Sequence, residues 1–238
     1  MTFLGDVVQW FTTTAHWQGT NGIPHRLSEH LMMSALAMLV AGAFALPSGI
    51  ILGHLNRMGG VIINLANVGR AVPSLAILAL TQQAIGLRGW PGFGARPAFV
   101  ALVALAVPPL VTNAYVGMRG VDRDVVEAAR GMGMTGGELL WRVEVPIALP
   151  LILAGLRTAA VQVVATATLA AVTAWGGLGR FIVDGFGQQD NAQIVAGALL
   201  VALLALVTEL ALARLQRRVV SEGLRAEQRP VDDALAAA

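Results

Sequence analysis

Twice along this chain, at residues 31–52 and again at 97–118, twenty-two consecutive positions pass without a charged side chain. As α-helix each run is about 33 Å long, enough to cross a hydrocarbon layer. Three further apolar runs, residues 61–87, 149–173 and 192–213, are interrupted by one charge each: Arg70, Arg157 and Glu209. A segment inside a bilayer must satisfy its own backbone amides, so runs of this kind are read as helices. Pro73 is placed to kink the second run, and Pro108-Pro109 lie in the middle of the third. Composition agrees: 56% of the 238 residues are hydrophobic and 13% charged, against about 25% charged in soluble domains. The expected fold is an all-α integral membrane protein of five helices, forming one membrane domain over residues 27–218.

Several chemistries are excluded early. There is no cysteine, so disulfides, a thiol nucleophile and cysteine-ligated zinc are ruled out. His16, His25, His30 and His54 lack metal-ligand spacing and are expected at the membrane interfaces, so no metal and no cofactor is implied. All sixteen basic residues are arginine, scattered along the edges of the runs, and a net charge of +2 in that pattern does not indicate a nucleic-acid surface. Neither a GxxxxGK[ST] phosphate loop nor a nucleophile elbow occurs, so nucleotide hydrolysis by that route is not expected of this chain. The start of the chain lacks a basic region followed by an apolar core, and no cleavable signal peptide is expected. Residues 1–26 hold a short amphipathic piece (Phe3, Leu4, Val7, Val8, Trp10, Phe11) expected to lie at the interface, with Trp10 and Trp17 as headgroup anchors. Residues 219–238 form a polar tail, expected to be disordered from Arg225 onward.

The polar interval over residues 119–148 separates the third and fourth runs. Asp124-Val-Val-Glu127 has the form of a capping box, with Asp124 as N-cap and Glu127 reaching back to it. Gly131 and Gly133 follow within two turns and favour a C-cap. Thr135-Gly-Gly-Glu138 is a second box, opening a helix through Leu139, Leu140, Trp141 and Val143, with Pro146 marking the start of the next apolar run. The expectation is two short capped helices projecting from the membrane.

Within this interval Glu127-Ala128-Ala129, three residues, Gly133, nine residues and Val143-Glu144-Val145-Pro146 resemble the EAA loop of binding-protein-dependent ABC importer permeases. In that pattern Val143 and Val145 stand where isoleucine and leucine are usual. The stretches EAARGMGMT, RVEVPIALPLILAGLRTAAVQVVATATLAA and GGLGRFI are similar to the osmoprotectant branch, whose members import glycine betaine, choline or carnitine. The resemblance runs from about Leu27 to Arg218. It implies a five-helix type I importer permease core and a multi-pass protein of the inner or plasma membrane. It also implies the partners: two ABC ATPase subunits, a second permease (an identical copy or a paralogue) and an extracytoplasmic substrate-binding protein. Glu127, Ala128, Ala129 and Gly133 would form a coupling helix docked on the ATPase, which alone would hydrolyse ATP. Gly176-Gly177-Leu178-Gly179, in the loop expected to run to Asn191, would face the binding protein.

Charge supplies the orientation. With the EAA loop cytoplasmic, ten of the sixteen arginines lie inside and four outside (Arg26, Arg88, Arg96, Arg180), so the N-terminus is expected outside and the C-terminus in the cytoplasm. Arg70, deep in its run, either faces the bundle interior on the translocation path or reaches back to the cytoplasmic edge. Arg157 is expected to snorkel or to pair with a loop acid, and Glu209 to pair with Arg214 one turn away. Gln162, Thr166 and Thr168 form a polar streak that either packs helices tightly or lines the path. Trp175 is the one aromatic residue suited to a quaternary ammonium group by cation–π attraction. A permease for another amino-acid-like solute (methionine, phosphonate), or a stand-alone secondary transporter, remain the alternatives.

Overall fold

The computed structural model describes residues 3–220. Among them there is no strand. Helix α1 (Phe3–Thr12) and a 3₁₀ turn (Thr14–Trp17) lead to α2 (Ile23–His54), whose Pro24 occupies the first turn, where a missing amide costs nothing. The helix begins eight residues before the charge-free run. Next come α3 (Gly59–Ala71) and α4 (Ser74–Gly86). The expected second span is therefore two helices in series: Pro73 has φ −58° and ψ 135°, and Val72 before it is extended, as a residue preceding proline prefers. Helix α5 (Ala95–Arg119) keeps Pro108 and Pro109 inside it.

Beyond α5 lie α6 (Arg123–Gly131) and α7 (Gly136–Leu139). A π-helical turn (Leu140–Glu144) joins α7 to α8 (Val145–Thr166), and 3₁₀ geometry continues to Thr173. Residues 136–173 are thus one helical rod. The second loop helix is not separate from the fourth span, as the sequence led us to expect. The reason lies at Pro146. Lacking an amide hydrogen, it cannot close the α-helical bond there, and Val145 N–H reaches back to the Leu140 carbonyl instead. The expected loop after Gly179 also contains a helix, α9 (Gly179–Gln188), before α10 (Asn191–Val219). Among the described residues, four rods are long and apolar enough to cross a membrane: residues 23–54, 95–119, 136–173 and 191–219.

Packing follows a spacing of four. Met33, Ala37, Ala41, Ala45, Gly49 and Gly53 are buried along one face of α2, and Leu102, Ala106, Leu110, Ala114 and Met118 along one face of α5. The i±4 ridge of each helix meets the other. In lipid, helices gain little from hiding apolar surface, so close backbone approach through small residues is what holds them. A Cβ at Gly49 would stand 2.7 Å from the Ala114 Cβ and from the Val111 carbonyl. Helix α8 adds Ala159 and Val163 to the same cluster, making α5 the central rod.

A second cluster seats α1 against α9 and α10. Trp10 is only 5% exposed and meets Phe181 edge-on at 5.3 Å and His16 face-on at 4.2 Å. Trp10 is a core residue, not a headgroup anchor: the amphipathic helix folds back on protein. Trp17 is half exposed, its indole N–H donating to the Phe11 carbonyl at 2.7 Å.

Candidate functional site

The loop between α5 and α8 is built by two caps. The first differs from the expectation. Asp122, not Asp124, is the N-cap of α6, its carboxylate accepting the Asp124 amide at 2.9 Å. Asp124 falls in the first turn, where an acid still complements the exposed amides, and Glu127 is left free of any capping role. The second cap is as expected: Thr135 Oγ1 accepts the Glu138 amide at 3.3 Å, and Thr135 N–H donates to Glu138 Oε2 at 3.0 Å. Gly133, at φ +84°, makes the turn between them in a region that side-chain-bearing residues seldom adopt.

Helix α6 is two-faced. Ala129 is buried and Val126 half-buried against Met118, Val121 and Leu140. Glu127, Ala128 and Arg130 are exposed, with Val125 and Met132 beside them, Met132 to 73%. Of the two alanines, one therefore seats the helix and the other lies on its open face. Trp141 is exposed one turn into the following rod.

Beside α6 lies an open polar pocket of about 370 Å³, bordered by the exposed Glu127 and Arg130 and by His54, Arg119, Arg123 and Glu144. Glu144 is 6% exposed and is ion-paired with Nδ1 of His54 at the end of α2. This pair was not foreseen from the sequence. The clue available was a charged residue standing between two valines in Val143-Glu144-Val145.

The other expected sites are scattered. The side chain of Arg70 lies outside the described residues. Gln162 and Thr166 share one face of α8 and are half-buried. Thr166 borders a gap of about 10 Å³ with Ser74, Leu78 and Ala101, room for no solute in the single chain. Thr168 turns inward on its own helix, donating to the Ala165 carbonyl at 2.9 Å. Trp175 packs against the central cluster and borders an apolar cavity of about 230 Å³ with Met32, Met33, Leu36, Arg96 and Phe99. Arg157 and Glu209 find each other, α8 to α10, at 3.2 Å. Neither a loop acid nor Arg214 is their partner, because the helix packing places them side by side; Arg214 donates to the Leu210 carbonyl instead.

At the end of the bundle opposite the loop, Gly176, Gly177, Leu178 and Gly179 are all buried. Glu29 of α2 holds them: its carboxylate accepts the Gly177 amide at 2.8 Å and the Arg26 guanidinium at 2.9 Å. A Cβ on Gly176 would overlap that carboxylate, and one on Gly179 would overlap the Thr168 carbonyl. These four residues fasten the chain to itself and leave their neighbours to form the outer surface. His30 is likewise interior and not interfacial, with Nε2 2.8 Å from the Val164 carbonyl of α8.

Against known proteins, the model of the family described as binding-protein-dependent transport system inner membrane component matches residues 45–221. The carnitine transport permease protein OpuCB of Listeria monocytogenes is 40% identical over 197 residues, spanning 83% of this chain and 88% of that one. The glycine betaine/carnitine/choline transport system permease protein OpuCB of Bacillus subtilis is 36% identical over 208 residues, 87% and 93% of the two chains. Among solved structures, the MetNI methionine ABC transporter in an inward-facing form superposes with a TM-score of 0.71 at 21% identity, covering 81% of this chain and 94% of that one. An amino acid ABC transporter with histidines gives 0.67 at 22% identity, covering 92% and 99%. At those identities the structures speak for the fold, and the family rests on the sequence matches. An all-helical bundle, an EAA-type loop on capped helices and matches over most of the chain lead to one conclusion: this protein belongs to the family of binding-protein-dependent transport system inner membrane components.

Proposed function

We propose that the chain is the membrane-spanning permease subunit of an ATP-driven importer for osmoprotectants such as glycine betaine, choline and carnitine. The observation that carries the reading is the open face of α6. Glu127, Ala128, Val125 and Met132 stand exposed on a helix whose other side is anchored in the bundle. A short, doubly capped element with an uncovered mixed apolar and charged face is suited to docking on a separate subunit and passing a push onward. The similarity to carnitine, betaine and choline permeases at 36–40% identity supports the cargo over methionine, for which the likeness is one of fold.

In this reading the loop is cytoplasmic and touches an ABC ATPase that hydrolyses the nucleotide. Ala129 lets α6 lie close to the bundle, and Gly133 sets its exit. The arginines support the orientation: Arg57, Arg119, Arg123, Arg130 and Arg142 stand at the loop end, and Arg214, Arg217 and Arg218 end α10. A second permease completes the translocation path between the two copies, with Arg70, Gln162 and Thr166 as candidate path residues. An extracytoplasmic binding protein delivers solute at the end fastened by Gly176 to Gly179. Rocking of the two permeases against one another then exposes the path to each side in turn.

The test is reconstitution in proteoliposomes with the ATPase and binding protein, presenting labelled glycine betaine, choline and carnitine with ATP on the cytoplasmic side. Uptake of at least one of them, strictly dependent on ATP, is expected. Uptake that persists without the ATPase would instead support a stand-alone transporter.

A further inference from the structure

The loop is continuous in the chain with α5 and α8, yet it also holds α2. Among the described residues, the ion pair of His54 with Glu144 is the polar side-chain contact between α2 and residues 120–144. It joins the last residue of a 32-residue rod to a carboxylate ninety positions away. Glu144 sits on the π-helical turn that Pro146 imposes, a geometry frequent at functional sites. The open pocket beside the pair leaves room for movement, and its other charged walls are Arg119, Arg123, Glu127 and Arg130. Among the described residues none of these four is in an ion pair, so Glu144 and His54 have chosen one another from a crowded set.

Two kinds of contact join α2 to the loop, and they differ mechanically. Leu46 and Ile50 of α2 pack in the cluster that includes Val126 and Leu140. Such contacts have no direction and can slide. A charge-assisted hydrogen bond between the buried Glu144 and the part-buried His54 fixes both distance and angle, and breaking it leaves the Glu144 carboxylate without its partner. A displacement of the loop is therefore passed to the end of α2 through the pair, and along α2 by the stiffness of the helix.

We infer that the Glu144–His54 pair is a strut, a positioning contact that makes α2 move with the coupling loop during the transport cycle. The inference rests on the reading of the loop as the ATPase-coupling element and adds a second output to it beyond α5 and α8.

The experiment uses the complex reconstituted with its ATPase and binding protein. His54→Gln and Glu144→Gln are compared with the exchanged pair, His54→Glu with Glu144→His. The quantities read are solute imported per ATP hydrolysed and assembly of the complex by size exclusion. The single variants are expected to assemble and to hydrolyse ATP, with solute per ATP falling about tenfold, and the exchanged pair to recover most of the loss. A ratio unchanged in both single variants overturns the strut, as does an exchanged pair no better than the singles. Should the single variants fail to assemble, the cysteine-free chain allows His54→Cys with Glu144→Cys, which buries no lone charge. Bridging those thiols with a short bismaleimide is then expected to raise the ratio, and equal ratios with and without the bridge overturn the inference. An unaltered complex that imports nothing at the expense of ATP would overturn the coupling reading instead, before any variant is compared.

Discussion

At Gly176 a single methyl group decides whether the chain can close at the end opposite the loop. A Cβ there runs into the Glu29 carboxylate, which is already committed to the Gly177 amide and to Arg26. Gly176→Ala is expected to cost about 1–3 kcal/mol through overpacking, read as a lower melting temperature in detergent. Gly187→Ala, where a Cβ meets nothing within 4 Å, is the control and should leave the melting temperature unchanged or slightly raised. Glu127 poses the opposite question. It is exposed and free of any cap, so Glu127→Lys should leave melting and membrane insertion unaltered, within about 0.5 kcal/mol, while abolishing ATP-driven uptake. The exposed Glu127 was singled out in the sequence by its place in the loop motif, whereas Glu29 was passed over, although it is the lone acid between Asp6 and Asp122. The His54–Glu144 and Arg157–Glu209 pairs were not legible, because their partners lie 90 and 52 positions apart and meet only through helix packing.

Elements were easier to foresee where physics is local. Charge-free runs located α2 and α5, and Pro73 located the break between α3 and α4 because proline fixes its own φ and extends its predecessor. Thr135 and Glu138 formed the box their spacing announced. The Asp124 box failed because Asp122, two residues earlier, reached the free amides first, a competition that a four-residue pattern cannot see. Helix α9 was missed for a related reason: three glycines and a polar exit looked like a loop, while packing of Phe181 on Trp10 and Leu178 made it a helix. Two outcomes follow at this scale. Thr135→Ala removes the bond that Thr135 Oγ1 accepts from the Glu138 amide and leaves the backbone N–H bond to the Glu138 carboxylate in place; it should cost about 0.5–2 kcal/mol, seen as faster hydrogen exchange at the Glu138 amide. Ala41→Leu thrusts a branched side chain into the α2–α5 seam, where Ala41 is fully buried. It should destabilise the bundle by about 1–3 kcal/mol, seen as a lower melting temperature.

For the whole molecule, the account is mechanical. Rods packed through small residues can shift as units, and the loop between α5 and α8 is the part of the chain stiff enough, and open enough on one face, to be pushed. In the proposed function, that exposed face and the arginines around it belong in the cytoplasm against an ATPase. The absence of cysteine makes the decisive measurement clean. In the assembled transporter, Ala128→Cys is the one thiol of this chain, on the open face of α6. Treated with a short thiol-to-amine crosslinker, it should yield a covalent adduct with the ATPase subunit, and a membrane-impermeant maleimide added outside intact cells should leave it unlabelled. Labelling from outside, with no adduct to the ATPase, would contradict the account.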